Sequence, residues 1–109
     1  MIELKKTDLS VRAERALLLG VISPRGGNYD GESLDELARL AATAGAVVVD
    51  GVIQKKHGID PTYYIGKGKA LGLAAVCRDQ NIDVVICDDD LTPAQIRNLE
   101  KILNSKVID

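Results

Sequence analysis

Four short aliphatic runs punctuate this chain: "RALLLGVIS" (Arg15–Ser23), "AVVVDGVI" (Ala46–Ile53), "DVVIC" (Asp83–Cys87) and "KVID" (Lys106–Asp109). Each has strand length, and a stretch with helical apolar spacing lies between each run and the next. Strands that alternate with helices point to a parallel sheet covered on both faces. Continuous apolar runs such as "ALLLGVI" suit strands buried on both sides. The expected fold is therefore α/β, a small parallel sheet of about four strands with helices on both faces. Residues 1–109 read as a single domain, with 1–12 ("MIELKKTDLSVR") read as flexible. Tyr63–Ile65 is an optional further strand.

The helical stretches carry end signals. Ser33 and Glu36 form a capping-box pattern, and Leu34, Leu37, Ala38 and Ala41 share one face. Gly45 suits the C-terminal cap. A second helix is expected over Lys69–Gln80, with Leu71 and Ala75 inward. The third, "LTPAQIRNLEKIL", has Thr92 as cap, Pro93 in its first turn and Gln95 completing another capping box. Ile96, Leu99 and Leu103 line its apolar face.

The hydrophobic share is 46%, with no Trp or Phe, so the core must be aliphatic. No apolar run approaches the ~20 residues that span a bilayer, and no signal-peptide layout opens the chain. A cytoplasmic location is the expectation. Cys77 and Cys87 are too far apart for a metal knuckle or a redox pair. A net charge of −2 excludes a global basic field. The charge is nonetheless segregated. Lys55, Lys56, Lys67 and Lys69, with His57, face a single acid, Asp60, in the same stretch; "DDD" (Asp88–Asp90) follows later.

In an open parallel sheet, ligands sit outside the carboxyl ends of the strands. Pro24–Glu32, Gln54–Gly68 and Asp88–Leu91 leave strands at that edge, so the lysine-bearing loop and the acidic triplet should share a rim. "YYIGKGKA" (Tyr63–Ala70) then has three readings. Gly66, Lys67, Gly68 and Lys69 at a helix start could cradle a phosphate. The phosphate-loop signature G-x-x-x-x-G-K-[ST] is not met, and Leu71 stands where a dinucleotide fingerprint needs its third Gly. Alternatively, the lysines contact RNA phosphates while Tyr63 or Tyr64 stacks on a base. The plainest reading is a solvated turn whose glycines serve conformation. Asp88 and Asp89 are weak candidates for a divalent cation, and the triplet serves equally well to complement the next helix dipole. His57 reads as a solvated loop residue, and no nucleophile–base pair is evident.

"SLDELARLAATAGA", "VIQKKHGIDPTYYIGKGKA" and "VVICDDDLTPAQIRNLEKIL" together resemble the amino-terminal domain of the HflX family of GTP-binding proteins. The resemblance runs from about Arg15 to Asp109. It carries over the motif positions Tyr64, Ile65, Gly66, Lys67, Gly68 and Lys69, with Asp88, Asp89, Thr92, Pro93 and Gln95; Asp90 stands where Glu is frequent. The resemblance implies a domain that precedes a helical subdomain and a GTPase domain. It implies association with the large ribosomal subunit and its RNA, or regulation of the GTPase domain of the same chain, with which it makes contact. GTP and Mg2+ are implied for the full-length parent. No cofactor and no catalysis are expected of this stretch, which has neither a phosphate loop nor an N-K-x-D motif. Adenine-nucleotide binding through the amino-terminal region, discussed for the family, keeps the phosphate reading open.

Overall fold

The computed structural model describes residues 13–22, 32–55 and 60–109. The strands are β1 (Arg15–Ile22), β2 (Val47–Lys55), β3 (Val84–Cys87) and β4 (Lys106–Ile108); the helices are α1 (Glu32–Thr43), α2 (Lys67–Asp79) and α3 (Pro93–Leu103). They build one sheet in the order β2-β1-β3-β4, and every pairing is parallel. The expected α/β class is the one observed.

This order explains the layers. A crossover between parallel strands is almost always right-handed. The step from β1 to β2 runs one way across the sheet. The steps from β2 to β3 and from β3 to β4 run the other way. One handedness therefore places α1 on one face and α2 with α3 on the opposite face. Leu17, Leu19, Val85 and Val107 accordingly pack with Leu73 and Cys77 of α2 and Leu99 and Leu103 of α3. Ala16, Leu18, Val84 and Ile86 pack with Ala41 and with Leu34, Leu37 and Ala38 of α1. The reversal of direction falls between β1 and β3, and ligand sites in such sheets favour the carboxyl ends there.

Local differences from the sequence expectation have local causes. β2 runs to Lys55 rather than stopping at Ile53, its polar Asp50 and Gly51 pairing with Leu17 and Leu18 beyond a bulge at Val49. Ala16 pairs with Val48 and Leu17 with Asp50, so one residue is skipped. Gly51 then lets α1 close over the strand, since a Cβ there would lie 3.0 Å from Leu34 Cδ2. α1 begins at Glu32, one residue before Ser33. It ends as expected at Gly45 (φ 100), with Ala46 N–H donating to the Ala41 carbonyl at 3.0 Å.

α2 starts at Lys67, not Lys69, and its inward residues are Ala70, Leu73 and Cys77. Leu71 is 52% exposed, so its inward assignment is corrected, whereas Ala75 is half-buried. Tyr63–Ile65 adds no strand; a single antiparallel bridge joins Asp60 and Tyr64 within a turn. The expectations for residues 1–12, the "PRGGNYDG" loop, Lys56 and His57 lie outside the described residues. Among the described residues, no helix is long and apolar enough to cross a membrane.

Candidate functional site

The site begins with a turn that folds around one carboxylate. Asp60 Oδ1 accepts the backbone N–H groups of Thr62 and Tyr63, each at 2.7 Å. Asp60 also exchanges backbone hydrogen bonds with Tyr64, at 2.9 and 3.4 Å. This closed loop forces Tyr64 into the left-handed region at φ 64, which a bulky side chain adopts only when its surroundings hold it there. Two constraints do so. The Tyr64 ring is buried with Ile65 in the core beneath α2 and α3. Its hydroxyl donates to Asp89 Oδ2.

The third helix grips the same turn. The capping box forms as the sequence predicts: Gln95 N–H donates to Thr92 Oγ1 at 3.1 Å, and Thr92 N–H donates to Gln95 Oε1 at 2.8 Å. The remaining end of that amide does a second job. Gln95 Nε2 donates to the Asp60 carbonyl at 2.9 Å. Asn98, one turn on, donates to the Thr62 carbonyl at 3.2 Å. Gln95 is 3% exposed, so a polar side chain is buried with its hydrogen-bonding capacity used on both sides.

From this anchored turn the chain enters α2. Gly66 is the N-cap residue at φ 89 and ψ 153, a conformation that glycine supplies without a Cβ clash. It has no side-chain cap, so α2 opens on backbone N–H groups without the protection Thr92 gives α3. Lys67 and Gly68 are exposed and Lys69 is half-buried. A Cβ at Gly68 would meet nothing within 4 Å. Lys55 ends β2 at this rim.

The acidic triplet reaches the same end of the sheet. Asp88 N–H donates to the Leu19 carbonyl at 2.9 Å, extending the β1–β3 pairing. Asp89 joins the triplet to the lysine-bearing segment through Tyr64 and also accepts Asp90 N–H at 2.8 Å. The first turn of α3 holds no acid, so the triplet precedes that helix rather than lying within its first turn. Among the described residues, no group of three or more His, Cys, Asp or Glu side chains is placed to hold a metal ion.

Tyr64, Gly66, Lys67, Gly68, Lys69 and Asp89 are thus brought to one rim. Tyr63 is half-buried and packs against the core, whereas Tyr64 is buried within it. Sequence reasoning missed the second bond of Gln95. Its partner is a backbone carbonyl 35 residues away, which no side-chain pattern encodes.

A cleft of about 860 Å³ lies at the opposite pole, lined by residues including Arg15, Cys77, Arg78, Asn81, Asn104 and Ser105. The carboxyl ends of α2 and α3 point there, and helix carboxyl ends attract cations rather than phosphates. Arg15 meets that need, its Nε donating to the Gln80 carbonyl at 3.1 Å. Burial pushes the Cys77 thiol above its ordinary value of 9.0, and a hydrogen bond with Ser105 opposes the shift.

A parallel sheet between helical layers, with a basic helix start and carboxylates at one rim, defines a small α/β domain. Residues 31–109 match the family model described as GTP-binding GTPase N-terminal. The chain is similar to the GTPase HflX of Caldanaerobacter subterraneus, 45% identical over 94% of this chain and 23% of that protein. It is also similar to the GTPase HflX of Lacrimispora saccharolytica, 44% identical over 100% of this chain and 24% of the relative. The corresponding Escherichia coli protein is 35% identical over 88% of this chain and 22% of its own length. The chain therefore belongs to the HflX family, as its N-terminal domain. It spans about a quarter of the length of the curated relatives it matches.

Proposed function

We propose that this chain is the accessory domain through which an HflX-type GTPase associates with the large ribosomal subunit and its RNA in the cytoplasm, and that it hydrolyses no GTP itself. GTP and Mg2+ belong, in this reading, to the GTPase domain of a full-length protein, with which this domain also makes contact. Family membership supports the reading. The observation that carries it on this chain is the rim, where Lys67 and Lys69 stand on a rigidly anchored helix start. Cations fixed on an ordered element meet a phosphate backbone without first losing loop entropy. Co-sedimentation with large ribosomal subunits tests it. Charge reversal at Lys55, Lys56, Lys67 and Lys69 is expected to weaken binding about tenfold or more; unchanged affinity removes those lysines from the contact.

A second reading, a nucleotide-binding module, draws on one contrast: α3 is closed by a capping box, whereas α2 opens at Gly66 with no side-chain cap. Free N–H groups at a helix start donate to an anion. Titration with ATP and GTP, with and without magnesium, should then shift the backbone amides of Gly66 to Ala70. Static amides there would remove this reading. A purely structural scaffold for the GTPase domain, by contrast, binds neither nucleotide nor RNA and still docks to that domain.

A further inference from the structure

The two helical layers differ in charge. On α1, exposed Asp35 and Glu36 outnumber Arg39, which lies 3.4 Å from Glu36. Together α2 and α3 hold five cations, Lys67, Lys69, Arg78, Arg97 and Lys101, against two anions, Asp79 and Glu100. The two anions leave an excess of three cations. Asp79 pairs with its neighbour Arg78 at 3.7 Å and offsets part of that charge. Glu100 is half-buried and turned to β4, where its carboxylate accepts Val107 N–H at 3.0 Å. Lys67, Arg78, Arg97 and Lys101 are all exposed.

Topology aligns these cations. Both helices return from the carboxyl rim to the opposite pole, on the same face, so they run in the same direction side by side. Lys67, Leu71 and Arg78 fall on one stripe of α2, at i, i+4 and i+11. Arg97 and Lys101 fall on one stripe of α3, at i and i+4. Packed helices lie about 8–10 Å apart, so two short basic rows run in parallel across the layer.

We infer that the outer surface of α2 and α3 is a docking face for the phosphate backbone of a structured RNA. The inference rests on the RNA-associating reading above and adds the face that makes the contact. Three observations select RNA over other anionic partners. The basic surface is concentrated in a chain of net charge −2, so it is local rather than a property of the whole molecule. A lipid surface needs an apolar helix face to insert. Here Leu71 is the one exposed large hydrophobic residue of the layer among the described residues, and the chain has no Trp or Phe. A stable protein partner needs roughly 800 Å² per side around an apolar centre, more than a single leucine offers. Phosphates need only spaced, exposed cations.

The test follows anisotropy of a fluorescein-labelled RNA hairpin across a salt series of about 50 to 200 mM. It compares the wild-type chain with a layer variant, R78Q/R97Q/K101Q, and a rim variant, K55Q/K56Q/K69Q. Removing one cation–phosphate pair lowers the log–log salt slope by about 0.7–0.9, so the layer variant should drop by about two to three units and bind at least tenfold more weakly. If the layer variant binds like wild type while the rim variant fails, this inference is overturned and the RNA reading stands. If wild type binds neither hairpin nor ribosomal subunits, both fall. Preference for phosphatidylserine vesicles over RNA also overturns it. Thermal melts check folding; should the triple variant not fold, R97Q alone is expected to lower the slope by about 0.7–0.9, and no change in it overturns the proposal.

Discussion

The two faces of the sheet are built to different depths. Beneath α2 and α3, thirteen buried side chains form one cluster among the described residues; beneath α1 there are five. The deep face also holds the polar devices of the rim, Gln95 and Tyr64, whereas the shallow face is closed by Leu and Ala of α1 on Ala, Leu, Val and Ile of the sheet. The difference teaches that the candidate site is positioned by one face. Anything that loosens the deep cluster should move the rim, and equal damage on the α1 side should leave it in place.

Leu99→Ala and Leu18→Ala put the largest strain on that comparison. Leu99 is 1% exposed in the deep cluster and Leu18 is 2% exposed in the shallow one. Truncation removes apolar burial and leaves a cavity, and its cost depends on how far the surroundings collapse. Leu99→Ala should destabilise by about 3–5 kcal/mol and Leu18→Ala by about 2–3 kcal/mol in urea melts, because the shallow layer relaxes more readily. Amide exchange of Tyr63 to Lys67 should quicken in the first variant far more than in the second. Equal exchange in both would show that the rim does not depend on the deep face.

Gln95→Ala tests the link between cluster and rim directly. The substitution removes the Gln95 bonds to the Thr92 N–H and to the Asp60 carbonyl, which keeps only its bond from Tyr64 N–H, at a cost of about 2–3 kcal/mol. Thr92→Ala removes the cap alone and should cost about 1 kcal/mol. The excess of the first over the second measures the clamp. It should vanish if the Asp60 turn holds itself together without α3.

What could be read in advance follows the range of the interaction. The strands, the α1 face, the Gly45 cap and the Thr92–Gln95 box are set by neighbours within a few residues, and the chain states them openly. The start of α2 is hidden because Gly66 and Gly68 carry no helix signal. Leu71 and Leu73, two apart on a helix, cannot both face inward. Ala70, Leu73, Ala74 and Cys77 at i, i+3, i+4 and i+7 give the better stripe, and the core takes it. The Tyr64–Asp89 and Gln95–Asp60 bonds join residues 25 and 35 apart. The first was legible only as a shared rim. The basic rows on α2 and α3 were invisible until strand order placed both helices on one face.

Alkaline pH offers a smaller contrast. Cys77 is 2% exposed in the deep cluster, and burial raises its thiol above 9.0. The described side chains of the shallow cluster's buried core (Ala16, Leu18, Ala41, Val84 and Ile86) do not titrate. Well below pH 9.0 the thiol is protonated in both folded and unfolded chains, so the full stability is present. Above that, the unfolded chain sheds the proton first and stability falls until the folded thiol also ionises, by at most about 1.4 kcal/mol per pH unit. Denaturant melts should show Cys77→Ala flattening this alkaline decline; an unchanged slope would place its cause elsewhere.

Gly72→Ala gives the mildest effect, of opposite sign. The deep face carries the intrinsically weaker helix: α2 contains Gly68 and Gly72, whereas α1 contains no glycine. Gly72 has no positive φ, and a Cβ there would meet nothing within 4 Å. Neither conformation nor packing within the domain requires glycine, so alanine should stabilise by about 0.5–1 kcal/mol. The gain should appear as a higher melting temperature with unchanged exchange at Tyr63 to Lys67, since the rim is held by Gln95 and Asp89 rather than by the propensity of α2. A lower melting temperature would mean that this side of α2 is already in contact with another part of the chain, and the deep face would then be deeper than its described residues show.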